Sequence, residues 1–244
     1  MKSLYGARTD LLTRETKGIV TASNDSAFDH ALVDAMFDRS MRVGPEPVRL
    51  ILTACDPNGG GSSAMALVSL TMIRGNMIVL GVDAASVRGF DEIRTALLKH
   101  VTGLLRAHAC AVLWFAPENN LGSESSHMAA MLRKMSRCHC LTEPGKPNVQ
   151  GVRTTQERKK LYVGELERHM RCQSIGIAQG CIASRLTLET LKSQMKSYKK
   201  IVNHSARGMS SVSYSGKAGG GNDDLAVAIG LGAYWLTQKV MGLA

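Results

Sequence analysis

The stretch Val48-Arg49-Leu50-Ile51-Leu52-Thr53-Ala54-Cys55 runs directly into Asp56-Pro57-Asn58-Gly59-Gly60-Gly61-Ser62-Ser63. The first half is a short apolar run of strand length. The second half is turn chemistry: an Asp-Pro-Asn-Gly start followed by small residues. A strand that ends on a carboxylate is thereby predicted at residues 48–56. Upstream, Gly44-Pro45-Glu46-Pro47 breaks the chain, and before it Phe28, Leu32 and Met36 lie close to helical spacing. Residues 1–44 read as an N-terminal helical and linker segment, with one domain over 45–244.

Downstream of the strand, apolar residues return at 64–71. Arg74-Gly75-Asn76 makes a turn, and Met77-Ile78-Val79-Leu80-Gly81-Val82 forms another strand. Short connections of this kind predict three consecutive antiparallel strands. Phe90, Ile93, Leu97, Leu98, Val101, Leu104 and Leu105 then make an apolar helical stripe. Ala109-Cys110-Ala111-Val112-Leu113-Trp114-Phe115 is wholly apolar, the pattern of a strand covered on both faces, and it ends at Pro117-Glu118-Asn119-Asn120. A helix over 123–137 and a loop over 138–153 follow. Next come a helix capped by Thr154 or Thr155, a short strand at 174–178, and a helix or turn over 187–202. A Ser- and Gly-rich mobile loop is expected over 203–222, and a last helix starts near Asp223. The expected fold is α/β: a mixed sheet, three antiparallel strands followed by parallel ones, with helices on both faces.

Three carboxylate sites stand beside buried elements: Asp56 and Glu118 at strand ends, and the pair Asp223–Asp224 at a helix start. Each alone has an ordinary structural explanation, as a turn residue, a strand-end carboxylate or a helix N-cap. Together they suit phosphodiester hydrolysis, which needs an activated water and neutralisation of charge in the transition state. Two Mg²⁺ or Mn²⁺ ions roughly 3.5–4 Å apart meet both needs. Such hard cations take oxygen ligands, and adjacent strand ends about 5 Å apart can share one. Asp56 is the candidate bridge between the ions, with Glu118 on one and Asp223 or Asp224 on the other. Asp83 is an extra ligand only if it faces the same way as Asp56; otherwise it starts a turn. Lys217 reads first as a solvated loop lysine, with contact to a phosphate or to the attacking water as the alternative.

The chain carries 30 Lys and Arg against 20 Asp and Glu over 244 residues, a formal net charge of +10. That balance favours a polyanionic partner. Arg153, Arg158, Lys159 and Lys160 cluster at one helix start. Lys192, Lys196 and Lys199 or Lys200 are expected on one helical face that could track a DNA backbone. Composition speaks against disorder, with 44% hydrophobic and 20% charged residues. No apolar run approaches the ~20 residues needed to span a bilayer. The six cysteines show no disulfide spacing, so free thiols in a soluble intracellular chain are expected. Cys138-His139-Cys140 has the wrong spacing for structural zinc.

Four segments resemble the nuclease domain of the large terminase subunit of tailed phages and herpesviruses. They are Thr53 to Ser63, Phe115-Ala116-Pro117-Glu118-Asn119-Asn120, Gly151-Val152-Arg153-Thr154-Thr155 with its basic helix, and Gly221-Asn222-Asp223-Asp224-Leu225-Ala226-Val227-Ala228. Their order and separations agree with that family over residues 45–240, and the paired Asp is the most specific element. The resemblance implies a ribonuclease H-like fold and metal-dependent cleavage of concatemeric viral DNA during genome packaging. It also implies double-stranded DNA, other terminase subunits, an ATPase domain and the portal as partners. For the herpesvirus branch it implies the host nucleus as the location. The chain departs from whole large terminases in lacking Gly-x-x-x-x-Gly-Lys-Ser/Thr, so a separate nuclease domain without ATP hydrolysis is expected. A resolvase or ribonuclease H-type nuclease is a second reading on the same fold. A non-catalytic DNA-binding or assembly domain is a third.

Overall fold

The computed structural model describes residues 26–44, 46–57, 64–120, 123–204, 210–216 and 222–242. Its centre is a seven-stranded sheet in the order β1-β9-β4-β3-β2-β5-β6. The strands are β1 (Ser40–Met41), β2 (Leu50–Asp56), β3 (Met65–Ile73), β4 (Asn76–Ala85), β5 (Val112–Pro117), β6 (Cys138–Cys140) and β9 (Ile175–Ile182). β2, β3 and β4 form an antiparallel meander. β5 lies parallel to β2 and β6 parallel to β5, while β9 lies parallel to β4 and β1 parallel to β9. This is the mixed sheet expected from the sequence.

Among the described residues six helices cover it: α1 (His30–Asp38), α2 (Phe90–Ala107), α3 (Ser123–Leu132), α4 (Gln156–Arg171), α5 (Arg185–Ser197) and α6 (Asp224–Val240). Alternation along β2 explains the two faces, because successive side chains point to opposite sides. Leu52 and Ala54 join a core with residues of α1, α4, α5 and α6, whereas Ile51 and Cys55 join a second core with residues of α2 and α3. Burial on both faces accounts for the continuous apolar reading of β2 and β5.

Several expectations need correction. Residues 138–153 are not a plain loop. They contain β6 and a small hairpin of β7 (Thr142–Glu143) and β8 (Lys146–Gln150). At the end of the segment expected as a helix or turn, and within the one expected as a mobile loop, β10 (Lys199–His204) and β11 (Ser210–Ser215) pair antiparallel. Lys199 and Lys200 therefore belong to a strand and do not continue the face of α5. The N-terminal segment is built into the sheet at its described end: Phe28, Val33 and Met36 lie in the α6-side core, and Ser40–Met41 is an edge strand. The helix over 156–171 takes Thr155 as its N-cap, its hydroxyl accepting from Arg158 N–H. Among the described residues, no helix is long and apolar enough to cross a membrane.

Candidate metal centre

β2 and β5 run parallel in the register Ala54↔Ala116 and Cys55↔Pro117, and Glu118 N–H donates to the Cys55 carbonyl at 2.7 Å. Ala54 and Ala116 both face α6. Two residues further along each strand, Asp56 and Glu118 share that face by the same alternation. Their carboxyl groups are close enough for Glu118 to raise the Asp56 pKa. α6 packs across β2 and β3 with its N-terminus at this end of the strands, which brings Asp223 and Asp224 into the electrostatic neighbourhood of Asp56. The structure thus gathers all four predicted acids at one end of one sheet face.

Burial makes this gathering costly. Glu118, Asp223 and Asp224 are buried, and the carboxyl of the half-buried Asp56 is densely surrounded. Desolvation, followed by repulsion and a hydrogen bond from Glu118 and repulsion from Asp224 and Asp223, raises the Asp56 pKa well above the carboxylate value of 3.8. A divalent cation would offset the repulsion among these carboxylates, and an all-oxygen donor set is the kind that hard cations take. Among the described residues no group of three or more His, Cys, Asp or Glu side chains is placed so that it could hold a metal ion as it stands.

Other residues hold the acids in place. Asn120 Nδ2 donates to Glu118 Oε1 at 2.8 Å, and the same side chain exchanges bonds with Thr154, accepting from its N–H at 3.1 Å and donating to its carbonyl at 3.3 Å. The Ser125 hydroxyl donates to the Glu118 carbonyl at 2.5 Å. The segment 151–154 straps across the end of β5, with Val152 N–H donating to the Pro117 carbonyl and Asn119 N–H to the Val152 carbonyl. Gly151 makes the strap possible. Its φ is +82°, and a Cβ there would stand 2.6 Å from the Pro117 oxygen.

At α6, Asp223 does not cap its own helix. Its Oδ2 accepts instead from Gly216 N–H at 2.8 Å. The capping acceptor is Gln194 of α5, whose Oε1 takes Leu225 N–H at 2.8 Å and Ala226 N–H at 3.3 Å. Tyr198, one turn further along, is buried and feels the charges of Asp223, Glu118 and Asp56. Burial first, then these carboxylates, push its phenol well above the ordinary tyrosine range. Gln194 and Tyr198 escaped sequence reasoning. A Gln lying 31 residues from the N–H groups it caps has no local signature.

Other candidates fall outside the centre. Asp83 stays within β4 opposite Leu67, on the α2 face of the sheet, so it is neither an extra ligand nor the start of a turn. Lys217 lies outside the described residues. Arg158 is held by Glu143 through two bonds of 2.7 and 2.9 Å, tying α4 to the β7–β8 hairpin. Lys192 and Lys196 both reach Asp34 of α1 at 2.7 Å and so close a helix–helix contact. Cys138, His139 and Cys140 alternate along β6, with Cys138 buried and the exposed His139 stacked on Trp114 at 4.9 Å. Neighbours on a strand point to opposite faces and cannot share a zinc ion.

The fold is the ribonuclease H-like α/β fold. Solved structures that share it include the nuclease domain of the human cytomegalovirus terminase, soaked with manganese and bound to an inhibitor. It is 13% identical with a TM-score of 0.65, over 88% of this chain and 97% of that one. The nuclease domain of the large terminase subunit of bacterial virus Sf6 is 12% identical with a TM-score of 0.55, over 85% and 98%. No protein-family profile matches the chain, and no curated protein matches it.

Proposed function

We propose that the chain is a metal-dependent endonuclease of the terminase nuclease type, cutting double-stranded DNA with little sequence preference during viral genome packaging. The observation that carries this reading is the convergence of Asp56, Glu118, Asp223 and Asp224 at one strand end, at a cost that a dication removes. The likeness in fold to cytomegalovirus and Sf6 terminase nuclease domains supports it. In this reading Asp56 holds both of two Mg²⁺ or Mn²⁺ ions, Glu118 holds one, and Asp223 or Asp224 holds the other. Bound metal supplies a water activated at neutral pH and neutralises charge on the scissile phosphate. Asn120 fixes the orientation of the Glu118 carboxylate through its contact with Thr154. The N-terminus of α6 turns its partial positive charge toward the acids and the phosphate they would receive. An ATPase domain, further terminase subunits and a portal are the partners that this role requires. A herpesviral origin would put the activity in the host nucleus.

The test is cleavage of supercoiled plasmid with Mn²⁺ by the wild type, Asp56→Ala and Glu118→Ala. Both variants are expected to lose nicking by ~100-fold or more, since each removes a metal ligand worth several kcal/mol in the transition state. Unchanged cleavage in either variant overturns the site. DNA binding with no cleavage of any substrate leaves a non-catalytic binding domain.

A further inference from the structure

The start of α6 combines two arrangements that seldom go together. Asp is among the preferred N-cap residues because its side chain accepts from the N–H groups two or three positions on. Asp223 sits at that position, yet its side chain makes no capping bond. Its backbone explains why: φ −126° and ψ 7° lie outside the extended conformation that lets a cap residue reach back to its own helix. The N–H groups it would serve, those of Leu225 and Ala226, are both taken by Gln194 Oε1. The Asp223 carboxylate is thereby released from capping and accepts from Gly216 N–H.

We infer that Gln194 is a positioning residue of the metal centre: by capping α6 from outside, it keeps the Asp223 carboxylate directed at the metal. The inference rests on the metal-dependent reading above. The residue type fits the task. An acceptor is needed at this helix start, and Glu in place of Gln would add a fifth negative charge beside Asp56, Glu118, Asp223 and Asp224. A carboxamide oxygen caps without charge. When that acceptor is lost, two buried N–H groups lack a partner, a state the helix avoids. The nearest replacement is Asp223 itself. Rotation of its ψ to the extended region restores a cap and withdraws the carboxylate from the metal. Gln194 thus acts through Asp223 and touches neither metal nor substrate.

The experiment is Mn²⁺ titration by calorimetry, without DNA, on the wild type, Gln194→Met, Asp223→Ala and the double variant, with thermal melting of each. Gln194→Met keeps the shape and removes the acceptor. It is expected to weaken Mn²⁺ binding by about 10-fold or more, the range found when a supporting hydrogen bond is taken from a metal ligand. Because the effect passes through Asp223, the double variant binds Mn²⁺ no more weakly than Asp223→Ala alone. A merely structural role predicts the opposite, a further loss in the double variant that follows the melting temperature. Gln194→Asn, one methylene too short to reach both N–H groups, gives the same comparison should the Met variant fold poorly. Wild-type affinity in Gln194→Met and Gln194→Asn, or additive losses in the double variant, overturns the inference alone. A wild-type chain that binds no Mn²⁺ overturns the metal-dependent reading and this one with it.

Discussion

At Asp56, burial and three neighbouring carboxylates act in one direction, each favouring the protonated form. The consequence for stability has a definite sign. A carboxyl whose folded pKa lies above its unfolded value of 3.8 binds extra protons in the native state, so the metal-free fold loses stability as pH rises above 3.8 toward the raised value. His100 opposes this trend. It is buried on the α2 face, bonded to the Ser69 hydroxyl at 2.8 Å, and burial lowers its pKa to about 4, so the stability tied to its neutral form is lost as pH falls below 6.5. Comparing the wild type with Asp56→Asn cancels the histidine. In metal-free buffer Asp56→Asn is expected to melt higher than the wild type by a margin that widens as pH rises above 3.8. Saturating Mn²⁺ should close or invert the margin. Thermal melts over that range check it, and a margin independent of pH would mean that Asp56 is not under repulsion. At this scale the sequence was legible where an acid interrupts an apolar run, as at Asp56 and Glu118. It was silent on Gln194, Tyr198 and the link from Asn120 to Thr154, because those contacts join residues whose local pattern is that of ordinary helix or loop.

The elements that place the acids are β2, β5 and α6, and their packing is close. A Cβ on Gly232 of α6 would lie 2.9 Å from a methyl of Leu70 and 3.3 Å from the Ala54 Cβ, so the helix seats on β2 and β3 only because this position has no side chain. Gly232→Val must lift α6 from the sheet or displace Leu70. The expected cost is about 1–3 kcal/mol, as for overpacking elsewhere, and nicking should fall further than stability explains because Asp223 and Asp224 move with the helix. Melting temperature and single-turnover cleavage measured side by side would show it. Equal cleavage at a lowered melting temperature would mean that α6 does not set the geometry of the acids. Buried elements were also the readable ones. β2, β3, β4 and β5 announce themselves by runs of apolar residues, since both of their faces are covered. The hairpin of β7 and β8 was missed because β8 is largely exposed, Lys146 to Gln150 carrying three polar residues and a proline. β10, read mostly as the end of a helix or turn, and β11, read as loop, were missed for the same reason: Lys199-Lys200 and the serines of 210–215 mask the alternation around Val202, Val212 and Tyr214.

For the whole molecule the question is how a chain of net charge +10 holds four acids together without repelling its polyanionic partner. Part of the remaining acid is paired with cations. Glu143, Glu165, Glu167 and Glu189 each hold an arginine, and Asp34 holds two lysines. The strand-end cluster gathers four acids on a chain of net positive charge, and under the proposed function a phosphate approaching it meets repulsion unless a dication is present. The overall charge was legible from composition. The contrast between body and cluster was not, because it depends on which acids the fold pairs with cations. Under the proposed function, Glu118→Gln in metal-free buffer should bind a 30-base-pair duplex more tightly than the wild type, by roughly 10-fold for a close charge removed from a poorly solvated site. Ca²⁺, a hard dication with the same taste for oxygen ligands, should raise the wild type to the level of the variant. Both proteins should weaken steeply with salt, by about 10²–10³ between 50 and 200 mM NaCl if some five phosphates are contacted. Fluorescence anisotropy at the two salt concentrations, with and without Ca²⁺, measures all three effects together. Steep salt dependence without any influence of Glu118→Gln or Ca²⁺ would place the bound duplex on another face, and the acids would then need a different substrate to account for their convergence.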